Sequence, residues 1–340
     1  MDLSADLLIG RYAEPGVLRA RIGENRGADG GVAGTRNASF AAYSRRHALL
    51  YAVREDDEGA IDVLAADGGF ERVAEAPSGG KLPCHCALDG TESFLAVANY
   101  GSGEVAAFAL DPGTGVPLPG PWRHRGAGQG PDKERQSGPH AHWVGFTPDQ
   151  RWLLSADLGA DRIRAFAFDP ARGVVSGACE AYVAPPGSGP RWLAWLGKRA
   201  RALLVSELAS TVSLLAWRDG AFELLDSCTT SEAAADGNLG GHIVVDAAGA
   251  FAYATNRGDD TIAVLSIDGD RVRLVDTVES GGTSPRFLCW IDGGRGLLAA
   301  HEEAGPITGF LRSDDGRLTP QGPVLDVDKA AWLMTWQGAG

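Results

Sequence analysis

Short apolar runs, each closed by a turn cluster, alternate with polar segments along the whole chain, and they recur. Six copies of one fragment begin at Ser39, Cys84, His142, Arg191, Gly241 and Arg286. They read ASFAAYS, PCHCALD, PHAHWVGF, PRWLAWL, GGHIVVD and PRFLCWI. A second apolar run follows each: LLYAVRE, FLAVANYG, WLLSADLG, ALLVSELA, FAYATNRG and GLLAAHEE. The steps between copies are 45, 58, 49, 50 and 45 residues. A period in this range marks one supersecondary unit stacked many times.

One copy shows what the unit is. After His142, WVGF and WLLSA are split by Thr147-Pro148-Asp149-Gln150, a turn cluster. RIRAFAF then alternates, with Ile163, Ala165 and Ala167 on one face and Arg162, Arg164 and Phe166 on the other. A weaker fourth strand precedes the next copy. Four short strands in a period of roughly 40–50 residues is the pattern of a β-propeller blade. The two ends supply a seventh blade. DLLIGRYA and GVLRARI at the N-terminus resemble a second and a third strand with no first. AAWLMTW at the C-terminus starts at Ala330, and its Ala331 lies one further period of 45 beyond Arg286; it is a first strand with nothing after it. The predicted fold is all-β, a seven-bladed β-propeller over residues 1–340 as a single domain. Its ring is closed by N- and C-terminal strands pairing in one blade, because an open ring would leave a blade edge unpaired.

Composition narrows the function classes. The net charge is −13, and there is no basic stripe; that disfavours nucleic acid. No apolar run approaches 18 residues, so no membrane span is expected, and MDLSADLL has no basic, apolar leader. Five scattered Cys make no disulfide frame and point to a reducing compartment, the cytoplasm. The sequence specifies no oligomeric state and is compatible with a monomer.

The candidate chemistry follows from the hairpins. The start of each first strand lies beside the end of the second. His142, Arg191 and Arg286 (strand starts) should therefore share one channel mouth with Asn99, Asp157, Glu207, Asn256, Arg257 and His301 (strand ends). The long connection from Asp111 to Gly138, carrying His124, Arg125, Arg135 and Gln136, should enter there too. Arg offers planar two-point pairing to phosphate or carboxylate, and a His or Glu can take a proton from water. His142, Arg191, Glu207 and Arg257 are the functional candidates. Asn99 and Asp157 have a competing reading as strand-end caps. His140 and His142 in PHAH could share a metal with a nearby carboxylate, but an H-x-H pair alone is weak, and no metal or other cofactor is expected.

These fragments resemble the lactonase family of seven-bladed propellers, whose named activity is 6-phosphogluconolactonase. The densest match is GAGQGPDKERQSGPHAHWVGFTPDQRWLLSADLGADRIRAF: a Gly-rich segment, an Arg-Gln pair, PHxH, a turn and an ADLG-D-I run. PCH with VANYGSG, GPR with SEL, and YATNRGDDTIAV also fit. The resemblance implies a site of His142, Arg191, Glu207 and Arg257 with His140 close by. His85, Asn99, Asp157, Arg286 and Arg135 are the expected further substrate contacts. The implied reaction is hydrolysis of a small anionic sugar lactone, 6-phosphogluconolactone first. A similar propeller that lactonises a carboxylated muconate gives a cycloisomerase as the alternative, and a non-catalytic binding scaffold is a third reading. The chain departs from the family pattern at Trp143 and Trp192, bulky where a small residue and a His are usual. It departs again at Gly241-His242, where an acidic residue is common, and at His301-Glu302, where Asn-Gln is common. The two Trp are expected to narrow the pocket or to plug it.

Overall fold

The computed structural model describes residues 3–336 apart from residue 25, residue 68, residues 198–199 and residues 232–236. It contains seven four-stranded antiparallel sheets. We number the blades 1 to 7 from the N-terminus. Blade 1 is built from both ends: Ala330–Thr335 is innermost, followed outward by Ala5–Arg11, Val17–Ile22 and Gly27–Gly31. The closing pairs are Leu7 with Thr335, Leu8 with Met334 and Ile9 with Leu333, as the incomplete repeat at each end requires. The other six blades run outward in chain order. Their inner strands are Ala38–Ser44, Pro83–Leu88, Ala141–Phe146, Pro190–Trp195, Leu239–Val245 and Thr283–Ile291. Each inner strand touches the next, and the cycle closes from blade 7 back to blade 1. Among the described residues the only helical element is a short 3-10 turn, Asp292–Gly294.

The second strands read as near-continuous apolar runs because both of their faces are covered by neighbouring blades. Trp152–Asp157 and Arg201–Ser206, for instance, are buried at every position but the first. A sheet buried on both faces loses the simple in–out alternation of a half-exposed one. Each interface between adjacent blades holds one apolar cluster, seven in all among the described residues. The outer strands, such as Glu71–Pro77 and Arg271–Glu279, alternate towards solvent. One expectation is corrected here. The connection from Asp111 to Gly138 is not all loop: Trp122–Arg125 is the outer strand of blade 3. His124 therefore packs on Trp122 and Phe166 at the blade's edge, and only the part after Arg125 crosses towards the mouth.

Candidate active site

Every inner strand carries a register shift near its start. The shift falls between Ala38 and Phe40, Pro83 and His85, Ala141 and Trp143, Pro190 and Trp192, Gly240 and Ile243, and Pro285 and Phe287. In blade 1 the partner of Gly10 is Trp332 and the partner of Arg11 is Ala330, so Ala331 is the residue passed over. A bulge leaves one residue unpaired and re-aims its side chain. The passed-over residues include Ala331, Ser39, Cys84, His142, Arg191, Gly241 and Arg286, which are the positions that begin the sequence repeats. Blades 1, 2 and 3 thus present small residues, and blades 4, 5 and 7 present His142, Arg191 and Arg286. These side chains line a small void with Phe40, Trp192 and Phe287. Its volume is about 10 Å³, room for roughly one water.

A second ring comes from the seventh position of each second-strand fragment, the blade 5 fragment being read from its first strand residue, Arg201: Tyr12, Glu55, Tyr100, Leu158, Glu207, Arg257 and Glu302. Side chains on a strand alternate between faces, so the sixth position turns the other way. Arg54, Asn99, Asp157, Asn256 and His301 sit there, and they bond within their own blades or to the connection that arrives from the preceding blade's outer strand. Asn99 pairs with Ser78 Oγ at 2.6 Å and donates to Ser78 O. Asp157 accepts from the amides of His140 and Ala160 and pairs with Arg164. Asn256 pairs with Thr230 and Thr261, and His301 with Ser280 and Pro306. Substrate contact is withdrawn for Asn99 and Asp157, because their polar atoms hold strand ends together.

The two rings join into an arc of alternating charge. Arg191 places Nη1 3.3 Å from His142 Nδ1 and Nε 2.9 Å from Glu207 Oε2. The second contact is off the hydrogen-bond line, so Arg191 Nε–H is buried without a directed acceptor. Arg257 Nη2 also reaches Glu207 Oε2, at 2.7 Å, and Arg135 binds Glu207 Oε1. On the other side Arg257 Nη1 meets Glu302 Oε1 at 3.0 Å and Arg286 Nη1 meets Glu302 Oε2 at 2.6 Å. Arg286 lies over the Tyr12 ring, and Tyr12 donates to Glu55 Oε2 at 2.8 Å. Four guanidiniums thus face three carboxylates. Local folding fixes the members. Glu207 is pinned at the seam of blades 5 and 6, its N–H on Gly189 O at 2.7 Å and its carbonyl on the Gly240 amide at 2.8 Å. Arg135 sits in a turn whose amides bond Asp132 Oδ1, and the adjacent Gln136 anchors that turn on Leu158 O and Asp161.

The electrostatics follow from this packing. Burial alone would raise the Glu207 carboxyl, but Arg257, Arg191 and Arg135 outweigh it and hold the pKa down at about 2. Glu302 is likewise held low by Arg286 and Arg257 against the effect of burial. Burial and the neighbouring Arg257 bring Arg191 down to about 10 despite Glu207. His142 lies well below its ordinary 6.5, first from burial and then from Arg191, Arg286 and Arg257. It is therefore neutral at pH 7. Because Arg can only donate, Nδ1 of His142 accepts and its proton resides on Nε2.

Beneath the polar ring lies an aromatic floor made of the residues after the bulges. His85 packs 4.2 Å from Phe40 and 4.7 Å from Trp192, and Trp192 packs 4.3 Å from His242, which stacks on Phe287 at 3.9 Å (centroid distances). This settles where the two bulky Trp go. Trp192 packs in the aromatic floor and lines the small void beside His142 and Arg191, and Trp143 turns into the core between blades 4 and 5. His85 is withdrawn as a substrate contact: it is buried in the floor, and its Nδ1 accepts from the Val144 amide. Burial and Arg191 push its pKa down to about 3. His140 stacks on Tyr100 at 4.5 Å with Nδ1 2.9 Å from Tyr100 O. The two imidazoles of PHAH thus address different partners, and among the described residues no three His, Cys, Asp or Glu converge as metal ligands. Arg135 and Arg286 do reach the site. Glu302, Glu55, Tyr12 and Tyr100 were missed, although the seventh-position alignment would have found all four.

These buried groups make the fold acid-labile. His85 contributes stability that is complete above 6.5 and is lost as pH falls from 6.5 towards 3. The Glu207 contribution is complete above 4.5 and is lost as pH falls from 4.5 towards 2. The thermal midpoint is expected to be level above pH 7, to decline through pH 6 and to fall more steeply below 4.5. A midpoint unchanged between pH 7 and 4 would contradict this.

The model of the lactonase family of seven-bladed β-propellers matches residues 6–335. The chain belongs to that family. It is 29% identical over 294 residues to the 6-phosphogluconolactonase of Bacillus subtilis (strain 168), covering 83% of this chain and 82% of that protein. A crystal structure from Bacteroides fragilis, described as a candidate 6-phosphogluconolactonase, superposes with a TM-score of 0.87 at 28% identity, covering 98% of both chains. The periplasmic gluconolactonase of Pseudomonas aeruginosa superposes equally well, with a TM-score of 0.87 over 98% of this chain and 99% of that one. At 24% identity that likeness speaks for the fold alone. Among the described residues of this lactonase-family chain, no helix is long and apolar enough to cross a membrane.

Proposed function

We propose that this propeller hydrolyses the ester bond of a sugar lactone in the cytoplasm, with 6-phosphoglucono-1,5-lactone as substrate. The observation that carries the reading is the Arg191 guanidinium, which touches a neutral His142 while Glu207 holds both it and Arg257. Arg191 swings from His142 Nδ1 to the lactone carbonyl oxygen and stabilises the negative charge that develops there. Nδ1, thus freed, takes a proton from the attacking water as its oxygen bonds to C1. The intermediate collapses by breaking the bond from C1 to the ring oxygen, and His142 returns the proton to that oxygen. Glu207 keeps the arginines in place; its lone pairs are occupied and its pKa is about 2, so it is a poor base. The cationic side of the arc, Arg257 and Arg286, receives the phosphate.

One observation favours the cycloisomerase reading: the Nε2 proton of His142 could be delivered to a carbon of an unsaturated diacid. The arc of convergent arginines and carboxylates around a neutral His142 fits a non-catalytic binding scaffold less well. The deciding experiment is a panel of sugar lactones and muconate-type diacids, with acid release from the lactones and proton uptake with loss of the diene absorbance from the diacids scored against the spontaneous rates, with and without chelator. Chelator-insensitive acceleration of lactone opening is expected. Turnover of the diacids alone would install the alternative, and chelator-sensitive turnover would bring a metal on His140 and His142 back into play.

A further inference from the structure

We infer that Glu302 is a specificity-determining residue: its carboxylate occupies the place of a substrate anion and weakens the site's grip on phosphate. The geometry is that of a bound anion. Oε1 lies 3.0 Å from Arg257 Nη1 and Oε2 lies 2.6 Å from Arg286 Nη1, so one carboxylate bridges two guanidiniums from different blades. Ser284 Oγ donates to Oε1 at 2.8 Å. Ser284 is held for this task in a left-handed backbone conformation (φ 60°), with its amide on Asp260 Oδ1 at 2.7 Å. A non-glycine residue in that region is strained and persists where its surroundings fix it.

The other donors of these two arginines show what Glu302 withholds. Arg257 spends Nη2 on Glu207, and its Nε is buried with no acceptor among the described residues. Arg286 keeps Nη2 4.0 Å from Glu55, beyond hydrogen-bond reach. With Glu302 ionised, the four guanidiniums are offset by three carboxylates, leaving one positive charge. Without its charge, two remain and both Nη1 groups are released. Glu302 therefore sets how strongly the site prefers a phosphorylated lactone over a neutral one. The choice of substrate rests on the lactonase reading; the anion-binding test does not.

Calorimetric titration with inorganic phosphate at low ionic strength tests the claim without turnover. Glu302→Gln keeps the shape and removes the charge, and it should tighten phosphate binding at least about fivefold, the scale of one unit charge at about 4 Å in bulk water, and more to the extent that the protein screens less. Glu302→Asp keeps the charge and should show little tightening, which also covers the case in which the Gln variant is poorly folded. In parallel, the ratio of kcat/KM for 6-phosphoglucono-1,5-lactone to that for glucono-1,5-lactone should rise by a similar factor in Glu302→Gln. Phosphate binding that is unchanged or weaker in Glu302→Gln would overturn the inference, as would equal tightening in Glu302→Asp. Tighter phosphate binding with no lactone hydrolysed by any form would uphold it while refuting the lactonase reading.

Discussion

Replacing Arg191 with Lys should lower kcat/KM for the lactone by about 10²–10³, nearly as much as replacing it with Ala. The loss of one donor aimed at developing charge costs about that much, and Lys cannot substitute here. Arg191 faces His142 with Nη1 and Glu207 with Nε at once, and a single ammonium has no rigid fork with which to span both. The loss should fall mainly on kcat, because the contact to the carbonyl oxygen strengthens as the tetrahedral intermediate forms. Removing Arg191 also leaves Glu207 with two cationic partners instead of three, so a thermal melt of each variant must accompany the kinetics. An Arg191→Lys enzyme within about threefold of wild type would mean that the residue supplies only diffuse charge.

The second large effect is structural. Removing residues 330–340 takes the innermost strand out of blade 1 and should leave no stable ring. A graded version is Trp332→Ala. This side chain is 1% exposed, sits in the cluster between blades 1 and 2, and donates from Nε1 to Ala38 O at 2.9 Å. Its loss should cost about 3–5 kcal/mol. The reverse insult, Gly10→Ala, should also destabilise, because the added carbon would lie 1.7 Å from Trp332 Nε1 and 2.3 Å from Ala38 O. Chemical denaturation of the three forms checks this; a truncated chain with the wild-type midpoint would refute closure by the two termini.

The ring of blades was legible because the repeat carries its own phase. The residue on which the copies align, from Ser39 to Arg286, is the bulged residue of each inner strand, so the alignment already marked the side chains at the mouth. Hairpin logic brought the second-strand ends to the same place. It did not say which of two successive residues faces the channel. Asp157 and Asn99 therefore come along with Glu207 in the sequence reading, although they occupy the opposite face, and Glu55, Tyr12 and Glu302 do not stand out in it. In the last strand the eye falls on His301, whereas the carboxylate one residue on meets the arginines. His85 misleads for another reason: a polar residue one position past a bulge points below the mouth, into rings from three other blades. The pairing of every arginine with a carboxylate is also invisible in the sequence, because it depends on side chains from four blades and a loop.

The central claim is that a neutral His142, released by Arg191, takes the proton of water attacking a lactone. The pH dependence of kcat/KM tests it most directly, since that quantity reports the free enzyme's essential groups. Rates of acid release from 6-phosphoglucono-1,5-lactone would be measured at constant ionic strength, with the spontaneous rate subtracted at each pH. Burial and three arginines keep His142 well below 6.5, so the profile should stay level through pH 6.5 and fall only at distinctly lower pH. A rate no faster than the spontaneous one, or an acid limb centred near 6.5, would contradict the account.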